Sequence, residues 1–202
     1  VAVCAINGNF DDAQSGVKKI FTDADVKAKL LENGMLFSSA NSINWGRLVP
    51  QIVYYVSAYC DLIENGTIRN GDPMNVVVPT GNFGNILAAY YAKKMGIPVN
   101  KLICASNANN VLTDFLKTGV YDRNRSFFTT TSPSMDILIS SNLERLLFHL
   151  TDENDAKLRE WMGALSAEGK YTVDADVAEK VSVLFDAGCC DDEDTRKTIA
   201  KT

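Results

Sequence analysis

Two hydrophobic rhythms run along this chain. A continuous apolar run at residues 1–6 and largely apolar ones at 75–78 and 101–106 each have the length of a strand, the first two as in a strand buried on both faces of a parallel sheet. Between and after them the apolar positions fall into helical spacing. Trp45, Leu48, Val49, Ile52, Val53, Val56, Tyr59, Leu62 and Ile63 recur at three and four, and Asn65 with Gly66 closes that helix. Pro50 interrupts the pattern, so the regular helix is expected to begin at Leu48 or Val49, with a bent lead-in from Asn44. Asp11 and Asp12 are cap candidates for a helix reaching about Phe21, after a turn at Asn7, Gly8 and Asn9, and Thr22 with Asp23 for a second ending at Asn33 and Gly34.

After the 75–78 run come a loop over 79–85, an alanine-rich helix over 86–95 stopped by Gly96 and Pro98, and the 101–106 run. This order is the unit of a parallel sheet with a right-handed crossover. Asn109 or Asn110 caps a helix to Gly119, and the β-branched and aromatic residues 126–131 read as a strand. Ser141 and Glu144 form a capping-box pattern for a helix through Leu150. Helices are expected from Thr151 to about Leu165 and over 173–187. The class is α/β with a parallel sheet. No linker marks a domain boundary; the loop at 38–44 is the best crossing point between two units.

Charge narrows the function classes. Twenty basic against 25 acidic residues give a net charge of −5, and no basic cluster marks a nucleic-acid surface. The acidic run Asp191, Asp192, Glu193 and Asp194 reads as the solvated start of a helix. No apolar run approaches the ~18 residues of a membrane span, and nothing resembles a secretory leader. Among five cysteines, Cys4 and Cys104 sit in apolar runs and read as core. Cys189 and Cys190 are weak metal or redox candidates, and a reduced, cytoplasmic setting is the simplest expectation. The only histidine, His149, lies with Leu146, Leu147 and Leu150 and reads as structural. The sequence opens at Val1 within an apolar run and stops at Thr202 within a helix-like stretch, which suggests a piece of a longer protein.

Three stretches could carry chemistry. Gly81, Asn82, Phe83, Gly84, Asn85 and Ile86 join a strand to a helix, where glycines let the backbone turn with positive φ and approach a ligand closely, and the helix N-terminus favours an anion. The spacing is neither that of a Walker loop nor of a dinucleotide fingerprint, so a phosphate cradle and a ligand-free turn both remain open. Asn41, Ser42, Asn44 and Arg47 stand at or before a helix start. Arg47 can grip a phosphate or carboxylate, while the others serve equally as caps. Ser132, Pro133, Ser134, Met135 and Asp136 form a loop.

Together these stretches, with residues 8–14 and 141–148, resemble the threonine synthases in order and in motif. The resemblance implies a tryptophan-synthase-β-like α/β fold with a three-layer parallel sheet, fold type II among pyridoxal-phosphate enzymes, here incomplete. Residues 1–37 would end a smaller domain and 38–202 would belong to the larger, cofactor-binding one. It implies conversion of O-phospho-L-homoserine and water to L-threonine and phosphate, with pyridoxal phosphate as electron sink. Gly81, Asn82, Phe83, Gly84, Asn85 and Ile86 would hold the cofactor, with Asn82 beside its 3′ oxygen. Asn41, Ser42 and Arg47 would hold the substrate phosphate. The family's Schiff-base lysine and the group that meets its pyridine nitrogen have no counterpart in this sequence, which implies an inactive central fragment. A dehydratase of the same fold and a non-catalytic phosphate-ligand module are the competing readings. Sheet edges left by truncation would offer a route to self-association.

Overall fold

In a computed structural model, which describes residues 2–8 and 10–202, the core is built on three parallel strands. Helices α1 (Phe10–Thr22) and α2 (Ala24–Glu32) come first. Asp23 caps α2 by accepting from the N–H groups of Asp25 and Val26, as its position predicts. The expected bent entry also forms: α3 (Trp45–Leu48), a 3₁₀ turn (Val49–Gln51) with Pro50 in its first turn, then α4 (Ile52–Glu64). Proline costs nothing there, because first-turn N–H groups have no helical acceptor.

Strand β1 (Met74–Pro79), helix α5 (Gly84–Lys94) and strand β2 (Val99–Ser106) make the expected crossover unit. Next come α6 (Val111–Thr118), β3 (Val120–Asp122), a 3₁₀ turn (Pro133–Met135), α7 (Leu143–Leu150) and α8 (Asp155–Glu168). The chain ends with β4 (Lys170–Thr172), α9 (Ala175–Leu184), β5 (Phe185–Cys189) and α10 (Asp192–Ile199). The main sheet runs β1-β2-β5, all parallel, with Ser106 opposite Cys189. Strands β3 and β4 pair antiparallel. Between them Tyr121 and Tyr171 stack with centroids 5.3 Å apart and ring planes nearly parallel, with Phe115 and Trp161 against Tyr171. Burial raises the Tyr171 phenol well above its ordinary range.

Several expectations are corrected. Residues 2–6 form no strand: Val3 is 90% exposed, Cys4 is exposed rather than core, and among the described residues no strand pairs with the run to satisfy its backbone. Val1 and Asn9, part of that run and of the turn after it, lie outside the described residues, as does the side chain of Asp11. Helix α1 already begins at Phe10, so Asp11 and Asp12 sit inside its first turn rather than capping it. Residues 126–131 form no strand either. Side chains replace a ladder partner: Phe128 N–H donates to Asn109, Thr130 N–H to Asp136 and Thr131 N–H to Asp192. Asn110 is the cap residue of α6, but its side chain meets Arg125 instead of a helical N–H. The cap of α7 is Asn142, because Ser141 turns to Asn82. The helix expected over 173–187 stops at Leu184. Phe185 and Ala187 then alternate inward, and the free edge of β2 captures them as β5.

The sheet buries one face. Leu102, Cys104, Phe185 and Ala187 point into the core, while Val77 on β1 is 61% exposed, so that strand is buried on one side only. Leu102→Ala should therefore cost about 2–5 kcal/mol, whereas Val77→Ala should change stability by only about 0.5 kcal/mol. Urea unfolding midpoints compare the two.

Candidate functional site

The turn from β1 into α5 holds a left-handed residue that is not glycine. Its positive φ, 61°, falls on Phe83 and on neither glycine. A left-handed non-glycine residue costs about 1–3 kcal/mol. Burial holds it: Phe83 is 1% exposed, with its ring 5.7 Å from that of Phe185. The glycines serve close approach. A Cβ on Gly81 would lie 2.6 Å from the Ser134 carbonyl oxygen, and one on Gly84 would lie 2.4 Å from Ser42 Cβ. The expectation that glycine supplies positive φ here is thus corrected, and the close approach these glycines permit in this structure is to Ser134 and Ser42 of the chain itself.

That approach brings the two anion-binding candidates together. Asn41 and Ser42, all six residues Gly81, Asn82, Phe83, Gly84, Asn85 and Ile86, and Gln51, Thr80 and Ser134 line one hollow of about 230 Å³. Arg47 is outside that lining, exposed on α3, with its carbonyl accepting from Gln51. Helix α5 begins at Gly84, so the N–H groups of its first turn lack helical acceptors and face the loop end. No lysine lines the hollow. Its polarity comes from neutral donors and the helix end.

A chain of hydrogen bonds fixes the walls. Tyr55 donates to Asn85 Oδ1 at 2.5 Å, Asn85 donates to Gln51 Oε1 at 3.0 Å, and Gln51 donates to Ser42 Oγ at 2.9 Å. Burial pushes the Tyr55 phenol up to about 12, so it stays a donor at any physiological pH. On the other side, Ser140 donates to the Gly81 carbonyl at 3.1 Å, and Asn142 donates to the Asn82 carbonyl at 2.9 Å. Ser141 donates to Asn82 Oδ1 at 3.3 Å, leaving the Asn82 amide nitrogen without an acceptor among the described residues. Arg145 donates to Asn142 Oδ1 at 2.9 Å and to the Ser42 carbonyl at 3.0 Å.

The Ser132–Asp136 loop also joins the site. Asp136, 5% exposed, accepts from Asn107, Asn109 and Thr130, and this anchors the loop that sets the Ser134 carbonyl against Gly81. Reasoning from residue types missed Tyr55, Gln51, Asn142 and Arg145. Asn142 and Arg145 carried a usable signal, standing three apart at the start of the 141–148 stretch. His149 is half-buried and 2.9 Å from the Tyr91 hydroxyl; burial, with Lys94 nearby, lowers its pKa, consistent with a structural role. Cys189 and Cys190 are exposed free thiols, and among the described residues no group of three or more His, Cys, Asp or Glu could hold a metal. A larger hollow of about 520 Å³, between α1 and residues 39–43, is lined by apolar side chains such as Val17, Phe21 and Ile43.

Comparison with known proteins gives this geometry a context. No protein-family model matches the chain. It is 48% identical over 199 residues to human threonine synthase-like 1, covering 98% of the chain and 27% of that protein. It is 41% identical over 210 residues to threonine synthase of Saccharomyces cerevisiae, covering all of the chain and 39% of the yeast protein. The crystal structure of pyridoxal-phosphate-bound threonine synthase from Brucella melitensis superposes with a TM-score of 0.76 at 41% identity, over 93% of this chain and 38% of that one. The chain thus spans between about a quarter and two fifths of the relatives it matches.

The close approach at Gly84 is open to measurement. Gly84→Ala should destabilise by about 1–3 kcal/mol through overpacking. Gly163→Ala in α8, where a Cβ meets nothing within 4 Å, should stabilise by about 0.5–1 kcal/mol. Opposite shifts of the two urea midpoints are the expected result.

Proposed function

We propose, for a chain homologous to the threonine synthases along nearly all of its length, that it supplies the cofactor-phosphate cradle and part of the substrate site of such an enzyme. The parent reaction would convert O-phospho-L-homoserine and water to L-threonine and phosphate. The observation that carries the reading is the single polar hollow in which the α5 N-terminus, Asn82, Asn41 and Ser42 converge.

The residues fit pyridoxal phosphate. The free N–H groups at Gly84, Asn85 and Ile86 would take the cofactor phosphate, and no side chain intrudes because Gly81 and Gly84 carry none. The unpartnered Asn82 amide would donate to an oxygen of the bound group. When bound, the cofactor supplies an electron sink for the bonds beside the substrate's amine carbon. Asn41 and Ser42 at the hollow, with Arg47 on the adjoining helix, would hold the substrate's phosphate. In this arrangement Arg47 swings inward from its exposed position, which its long side chain allows. The lysine that the chemistry needs lies outside this chain, a reading supported by the absence of lysine from the lining. Residues 1–37 then end the smaller domain and 38–202 belong to the larger. We place the parent protein in the cytoplasm; among the described residues no helix is long and apolar enough to cross a membrane.

Two measurements decide the reading. In the full-length protein, Arg47→Ala should raise KM for O-phosphohomoserine roughly tenfold or more while the cofactor Kd stays within about twofold. Loss of cofactor with unchanged substrate affinity would remove the assignment, and turnover of L-threonine without turnover of the phosphate ester would move the protein to the dehydratases. For the chain by itself, borohydride reduction after incubation with pyridoxal phosphate should label no single lysine stoichiometrically. A mapped, stoichiometric lysine would show the Schiff-base residue to be present.

A further inference from the structure

Both loops that line the hollow end on one helix. Asn142, with no exposed surface, caps α7 and donates to the Asn82 carbonyl from its side chain at 2.9 Å and from its backbone at 3.2 Å. Its Oδ1 accepts from Arg145 at 2.9 Å. The same guanidinium donates to the Ser42 carbonyl at 3.0 Å and, through its other terminal nitrogen, to the carbonyl of Ile43. Gly84 completes the junction, since a Cβ there would meet both Ser42 and Asn142. No other side chain among the described residues bridges the 39–44 loop to the helix that holds residues 81–84. Arg145 is half-buried, and its guanidinium donates to three oxygens of its own chain.

We infer that Arg145 is a positioning residue that fixes the substrate-phosphate loop against the cofactor cradle, with Asn142 as the shared anchor. The inference rests on the functional reading above. The chemistry favours arginine at this position. A planar fork spans two adjacent carbonyls and an amide oxygen from two separate nitrogens in a fixed geometry, where an ammonium offers a single, freely rotating donor point. Arg145 touches the hollow only through what it holds, so removing it should move Asn41 and Ser42 and leave Gly84, Asn85 and Ile86 in place. Asn142 holds both sides, so its loss should loosen both.

The test uses the full-length protein loaded with pyridoxal phosphate. In Arg145→Lys, deuterium exchange over residues 38–47 should rise by about fivefold or more, while residues 80–87 stay near wild type. KM for O-phosphohomoserine should rise roughly tenfold, with kcat and cofactor Kd within about threefold. Asn142→Ala should raise exchange in both segments and weaken cofactor binding. Arg145→Gln reports the same two segments if the lysine variant does not fold. Unchanged exchange over 38–47 overturns the inference. So does equal loosening of both loops in the Arg145 variant, and so does a loosened loop with unchanged KM in an enzyme that turns over the phosphate ester. A wild-type protein that does not turn over that ester overturns the functional reading instead, and the exchange results still decide whether Arg145 holds the loop.

Discussion

There is no room for a methyl group at Gly84, and the arrangement of the site follows from that one exclusion. Because the backbone at the start of α5 can touch Ser42 directly, the 39–44 loop seats on the cradle instead of standing off by a side chain's width. The same contact lets Gln51 reach both Ser42 and Asn85, so the entry to α4 and the first turn of α5 share one hydrogen-bond network. Phe83, beside it, carries the backbone strain of the turn, and its ring buried against Phe185 makes the strained conformation the one compatible with a filled core.

In the proposed function the site would draw an anion without a cluster of positive charge. The protein carries more acid than base, and the hollow is lined by amides, hydroxyls and backbone. Attraction would come from oriented dipoles: the end of a helix, and amide groups whose other ends are already bonded. Such a site needs rigid walls, because a dipole that can rotate away gives little. The bonds from Tyr55, Asn142 and Ser140 supply that rigidity, and the raised phenol of Tyr55 keeps its donor in place across the physiological range.

Where local signals and long-range packing agreed, the sequence was enough. Asp23 before α2, Pro50 at the entry to α4 and the β1-loop-α5-β2 order were legible because each is fixed by chemistry within a few residues. Strand β5 was not. Its apolar positions continue the rhythm of α9, and only the vacant edge of β2 decides that Phe185 begins a strand. Strands β3 and β4 are three residues each, too short for any periodicity, and exist because Tyr121 and Tyr171 stack. Residues 126–131 have strand-like composition, yet Asn109, Asp136 and Asp192 claim their N–H groups. The site's two loops could be named from the sequence; Asn142 and Arg145, which hold them together, could not be assigned roles, since a cap and an exposed-looking helical arginine are ordinary until their partners are seen.

The order of the main sheet has a consequence in time. Strand β2 lies at the centre, with β1 just before it in sequence and β5 following only after four helices and the two strands of the small β3-β4 sheet. During synthesis β1, α5 and β2 can assemble as a local unit as soon as they emerge, but Ser134, Ser140 and Asn142, which hold the turn between β1 and α5, follow later in the chain. The other edge of β2 must wait until Phe185 arrives, a non-local closure of the kind that slows folding. Phe83 therefore lacks its aromatic neighbour through that interval, and the left-handed turn at the cradle is among the last features of the nascent chain to become fixed.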